Sequence, residues 1–100
     1  TGAREVTPVY SVVKVTVLQI TDHCPFYRPG DTFLIKQQCL DPASATPRQF
    51  CVHSLKDIYD TYMQVRRGPV GGKATKGCSD QGKARFEIER LADEDGKGWN

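Results

Sequence analysis

The run Val9-Tyr10-Ser11-Val12-Val13-Lys14-Val15-Thr16-Val17-Leu18-Gln19-Ile20 decides the fold. In an extended chain Val13, Val15 and Val17 fall on one side, and Lys14, Thr16, Leu18 and Ile20 on the other. Branched side chains at this density favour a strand, because their stiff χ1 suits a pleated surface better than a helical one. The second side is half polar, so the strand belongs in a sheet with only one face fully covered.

Working outward, Asp22 to Asp31 holds Pro25, Pro29 and Gly30 and reads as a turn. Pro29 presets φ and Gly30 accepts the positive φ that such turns need. Thr32 to Lys36 then reads as a second strand with Phe33 and Ile35 on one side, pairing antiparallel with the first. Residues 39–49, with Pro42, Ser44, Thr46 and Pro47, read as a loop with room for one helical turn.

A helix is predicted from Ser54. Ser54 serves as cap with Asp57 three residues on, and Leu55, Ile58, Tyr59, Tyr62 and Val65 form an apolar stripe. Arg66 and Arg67 suit the negative end of the helix dipole, and Gly68-Pro69 stops the helix. Residues 68–83 hold five glycines and read as a mobile loop. Ala84 to Leu91 is a last strand, with Phe86 and Ile88 opposed to Arg85, Glu87 and Glu89. The expectation is a single α+β domain over residues 1–100: a small antiparallel sheet of about three or more strands packed against one main helix. Its ordered core is residues 9–91, flanked by an arm (1–8) and a tail (92–100) that carries Trp99.

Composition limits the function classes. The 100 residues carry 14 basic and 12 acidic side chains, a net charge of +2. That balance lacks the basic footprint of a nucleic-acid or membrane-surface protein. No uncharged run is long enough to span a bilayer. The sequence as given opens on no basic segment followed by an apolar one, so no secretion signal is expected and a cytoplasmic setting is. Protein partners or self-association are the expected associations.

The four cysteines are Cys24, Cys39, Cys51 and Cys78. Two disulfides would allow three connectivities, but this density is below that of disulfide-stapled scaffolds, which favours reduced thiols or metal thiolates. All four sit at loops or element edges, with His23 beside Cys24 and His53 two residues after Cys51. Cysteines on loops around one end of a sheet can converge on zinc, iron or an iron–sulfur cluster without disturbing the core. No pair has the close Cys-x-x-Cys spacing that chelates from a single turn. Two other readings stand beside the metal site. Cys24 or Cys51 can act as a nucleophile with the neighbouring histidine as base. All four can be packed structural thiols in a protein-interaction module. Arg66, Arg67, Lys73, Lys76, Lys83 and Arg85 cluster in sequence, but Ala74 breaks any phosphate-loop match and a solvated loop is the better reading. Phe50, Tyr59 and Tyr62 have core spacing.

One combination of motifs is more specific than its parts. His23-Cys24-Pro25 is followed by Gly30-Asp31-Thr32-Phe33, then Phe50-Cys51 and Asp57-Ile58-Tyr59. Cys78 follows with Asp80 and Gly82, and the series closes on Phe86-Glu87-Ile88-Glu89-Arg90. Over about residues 12–91 this resembles a family of small uncharacterised proteins of anaerobic bacteria and archaea. The resemblance implies that Cys24, Cys51 and Cys78 are family cysteines and that Cys39 is not. It implies a three-cysteine site in a reducing, anaerobic setting. Taken together, the expectation is a metal- or iron–sulfur-binding accessory or electron-transfer subunit of a larger anaerobic enzyme. The metal ligands are Cys24, Cys51 and Cys78, with Cys39, His23 or His53 as a fourth. Thiol titration of the unfolded, unreduced protein is expected to count all four cysteines as free; a count of two or none would show disulfides instead.

Overall fold

The computed structural model describes residues 9–21, 27–46, 52–77 and 84–95, without the side chains of His53 and Asp95. In chain order these form β1 (Val9–Ile20), β2 (Thr32–Lys36), β3 (Cys39–Asp41), a 3-10 turn (Pro42–Ser44), α1 (Val52–Arg67), β4 (Lys73–Gly77) and β5 (Ala84–Asp95). The strands make one antiparallel sheet of five in the order β3-β2-β1-β5-β4. The α+β class holds, with a larger sheet than the sequence motifs alone define.

β1 sits at the centre because its two neighbours present matching apolar rows. Val13 and Val15 lie opposite Ile35 and Phe33 of β2, and Val15 and Val17 lie opposite Ile88 and Phe86 of β5. All seven are buried, and α1 lies on this face through Ile58, Tyr62 and Val65. Each such side chain contributes about 1.5–3 kcal/mol by leaving water. The other face carries Lys14, Thr16, Lys36, Glu87 and Glu89, partly exposed, in the alternation read from the sequence. Val12 is the buried exception on that face, in register between Lys36 and Leu91. No helix among the described residues is long and apolar enough to cross a membrane.

The predicted turn at Gly30, and a second turn within the region read as a loop, both carry glycine at positive φ. At Arg28-Pro29-Gly30-Asp31 the Asp31 N–H donates to the Arg28 carbonyl at 3.0 Å, with Gly30 at φ 92. At Pro69-Val70-Gly71-Gly72 the Gly72 N–H donates to the Pro69 carbonyl at 3.0 Å, with Gly71 also at φ 92. Positive φ at the third residue is the signature of a type II turn.

Four expectations change, the first being that residues 39–41, read as the start of a loop, form β3 against β2. The region expected as a mobile loop contains β4, whose Ala74 lies opposite Ile88 and packs on the core. An edge strand with a single small inward residue leaves almost no apolar signal. The helix begins at Val52, so Ser54 is not its cap: Ser54 is buried, and its hydroxyl lies 2.8 Å from the Tyr27 hydroxyl. A phenol brought into the core requires a polar partner there, and Ser54 supplies it. β5 runs to Asp95 rather than ending at Leu91, because the long first strand offers it Tyr10 and Val9 to pair with. The expected arm lies outside the described residues, as do residues 96–100 of the tail.

Phe86→Ala should lower stability by about 3–5 kcal/mol, read as a lower urea midpoint with unchanged slope. Glu87→Ala, on the other face, should leave the midpoint nearly unchanged.

Candidate functional site

The two ends of the sheet differ in chemistry. At the first, Ile20 of β1 lies opposite Ala84 of β5, and Gly77 of β4 lies opposite Arg85. Tyr27 closes this end by setting its ring edge-on to Phe86, with centroids 5.6 Å apart and an interplanar angle of 89°. Its hydroxyl meets Ser54 in the first turn of α1. The start of α1 therefore sits over the end of β1 and the start of β5.

Cys24, Cys51, Cys78 and His23 lie outside the described residues, as does the side chain of His53. Their described neighbours are Thr21 and Tyr27 around Cys24, Val52 next to Cys51, and Gly77 next to Cys78. All of these neighbours belong to the first end. Gly77 and Gln19 flank Arg85 in register, two strand spacings or about 10 Å apart. Among the described residues no three His, Cys, Asp or Glu side chains form a metal-binding group.

Cys39 is at the second end. It opens β3 opposite Lys36, which lies opposite Val12, and it is an exposed free thiol. Eight residues of β1 separate Val12 from Ile20, about 26 Å of strand. Metal–thiolate bonds are about 2.3 Å long, so the two ends are too far apart to share one ion.

The second end is held by a polar network around Gln37. Gln37 and Gln38 form the two-residue turn between β2 and β3, and Gln37 has φ 60 without being glycine. Positive φ at the first turn position alone fits a type II′ hairpin, where glycine is the usual residue. Four bonds hold the strained backbone: the Ser11 N–H (2.8 Å) and hydroxyl (3.1 Å) donate to Gln37 Oε1, the Gln37 N–H donates to the Ser11 carbonyl (2.7 Å), and the Tyr62 hydroxyl donates to the Gln37 carbonyl. Arg66 Nε donates to the Ser11 hydroxyl at 2.9 Å. The buried Arg90 donates through Nε to the Arg66 carbonyl at 3.0 Å, placing a cation on the last turn of α1. Its other nitrogens reach the Leu91 carbonyl and Asp93.

On the opposite face Lys36 Nζ lies 2.9 Å from Glu94 and 3.3 Å from Asp41. The hydrogen bond with Glu94 outweighs partial burial and, with Asp41, raises the Lys36 ammonium above its ordinary range. At Asp41 partial burial pushes the carboxyl up, but bonds from Lys36, the Ala43 N–H and Ser44 hold it below the ordinary carboxylate range.

Between α1 and the β2–β3 hairpin runs a groove of about 340 Å³, walled by Ile35, Leu40, Leu55, Ile58, Tyr59 and Tyr62, with Gln38 at its rim. Tyr62 is buried as its spacing implies, whereas Tyr59 is 57% exposed beside the groove. One position further round the helix than Ile58, Tyr59 turns from the sheet toward the hairpin. Phe50 lies outside the described residues. The basic cluster does not form one patch: Arg66 and Arg67 lie at the second end, while Lys76 and Arg85 lie near the first, and Lys83 is outside the described residues. The inward row Phe86-Ile88-Arg90 contains the signal for the buried arginine; nothing in the sequence marks Gln37 for positive φ.

Comparison with protein-family models, curated proteins and solved structures finds no match to this chain.

Burial pushes the Tyr62 phenol up, and the nearby Arg66 only partly offsets it. A raised folded-state pKa means that this contribution is present below the ordinary value of 10.0 and is lost as pH rises through the elevated one. Tyr62→Phe should cost about 1 kcal/mol near neutral pH through the lost bond to Gln37. It should also remove one late step from the alkaline absorbance titration of the tyrosines; an unchanged titration would show that the hydroxyl is not held as described.

Proposed function

We propose that the protein is a small cysteine-based metal-binding protein, holding zinc, iron or an iron–sulfur cluster, and serving as an accessory or electron-transfer subunit of a larger enzyme. The observation that supports this reading is the meeting, at one end of the sheet, of the described residues that adjoin Cys24, Cys51 and Cys78. Cys51 and Cys78 are bonded directly to Val52 and Gly77, and Cys24 is three residues from both Thr21 and Tyr27. Short tethers of this kind can deliver three thiolates to one centre while the core remains apolar. His23 or His53 completes the ligand set, and Cys39, at the far end, stays outside it.

A set of thiolates with one imidazole suits zinc, iron and iron–sulfur clusters. A cluster, when bound, supplies one-electron transfer. The chain's own residues hold it and join the β1–β2 connection, the start of α1 and the β4–β5 connection at one point. Metal binding should therefore stabilise this end in particular. The resemblance to small proteins of anaerobes fits an oxygen-sensitive centre.

A second reading has one observation in its favour: α1 is a helix of 16 residues that starts one residue after Cys51. The positive end of a helix dipole favours a thiolate, which His53 could assist as base.

Protein purified without oxygen is expected to carry metal, with acid-labile sulfide and visible absorption if the centre is a cluster. Cys24→Ser, Cys51→Ser and Cys78→Ser should each abolish the loading, and Cys39→Ser should leave it intact. A metal-free, colourless, folded protein ends this reading. Rapid alkylation of Cys51 at neutral pH, slowed by His53→Ala, would then favour the thiol enzyme.

A further inference from the structure

α1 is narrower than the sheet beneath it. Five strands span about 19 Å, and a helix with its side chains is about 10–12 Å across. α1 lies over β1, β5 and β4, so β2 and β3 extend beyond its flank. The groove runs there, with Ile35 and Leu40 on the strand side and Leu55 and Tyr59 on the helix side, and its described lining carries no charge.

The apolar part of α1 continues along this flank. Val52, Leu55, Tyr59 and Met63 recur at intervals of three, four and four residues, which places them in one row along the helix. Leu55 and Met63 are half-buried against the core, whereas Val52 and Tyr59 are 79% and 57% exposed. Covering the sheet does not require these two.

This surface is complementary to itself. Tyr59 stands at the middle of the 16-residue helix and is both a projecting ring and a wall of the groove. A two-fold axis near Tyr59 sets α1 antiparallel to α1 of a second copy and brings Leu55 of each to Met63 of the other. The border charges fit the same axis. Lys56 and Asp60 are both exposed and flank the row on its solvent side. Within one copy Lys56 has a loose contact with Asp57, at 4.0 Å. In the antiparallel pair Lys56 of each copy meets Asp60 of the other.

We infer that the protein forms a two-fold dimer through this groove and the adjoining flank of α1. The interface is isologous, and the Tyr59 ring of each copy is its anchor, entering the other's groove between Leu40 and Leu55.

Sedimentation of the native protein is expected to give the mass of two chains at high concentration. Tyr59→Lys, at an exposed position where the fold should survive by circular dichroism, raises the dissociation constant about tenfold or more. Leu40→Glu does the same, whereas Lys73→Glu on the far edge strand does not. Lys56→Asp and Asp60→Lys each weaken association, because like charges then meet across the axis. Mixed together, these two variants pair with each other, since the mixed dimer restores both opposite-charge contacts. A native protein that stays monomeric overturns the proposal and leaves the groove to another protein. A dimer that tolerates both Tyr59→Lys and Leu40→Glu, or a mixture no more associated than its two components, also overturns it.

Discussion

The antiparallel pairing of β1 with β5 is the constraint on which the other elements depend. Both strands are twelve residues long, and they place Val13, Val15 and Val17 in one buried row with Arg90, Ile88 and Phe86. A slip of one residue would turn the valines to water and bring Lys14 and Glu89 inward, so the register is strongly determined. β2 and β4 extend this ribbon on either side, and α1 covers the face it creates. The register shifts at Tyr10/Val12 and Val17/Gln19 fall near the two ends of the ribbon. Bulges add local twist and re-aim side chains, and these two sit beside the Ser11 network and the Tyr27 closure.

Each end is then joined to α1 by a polar contact within an otherwise apolar interface. At one, the Tyr27 and Ser54 hydroxyls satisfy each other; at the other, Arg90 holds the last turn of the helix and Arg66 reaches Ser11. Among the described residues no buried side-chain nitrogen or oxygen lacks a partner. A buried guanidinium is tolerable only with that degree of satisfaction. These contacts orient the helix, so that its start lies with the neighbours of Cys24, Cys51 and Cys78 and its end lies with the hairpin and Cys39. The residues adjoining Cys24, Cys51 and Cys78 thereby gather at one end of the sheet, and the Gln37 network lies at the other.

Much of this was legible in local patterns. The alternation in β1, β2 and β5 and the helical spacing of Ile58, Tyr62 and Val65 named the inward faces, because burial of one face imposes a period that survives in sequence. Pro29-Gly30 announced a turn through a conformational demand that glycine meets most cheaply. β4 was illegible because an edge strand rich in Lys and Thr has no apolar row to show. Ser54 read as a cap because a serine ahead of an apolar stripe is locally indistinguishable from one that bonds a distant phenol. The spacing of the four cysteines did not separate them, since nothing in it reveals which end of a strand faces which; only the resemblance set Cys39 apart from the other three.

The sequence by itself determined β1, β2, α1 and β5 and their buried faces, and it identified cysteine as the chemically distinctive residue, because periodicity, turn preference and side-chain chemistry are properties of short stretches. Only the tertiary structure decided that Cys39 stands apart from the residues adjoining the other three, that a groove lies between Leu40 and Tyr59, and that Gln37 takes a backbone conformation suited to glycine. Those features arise from strand order and direction and from contacts such as Tyr62 to Gln37 and Tyr27 to Ser54, between residues 25 and 27 positions apart. Such pairings are set by how whole faces pack together, which no local pattern encodes.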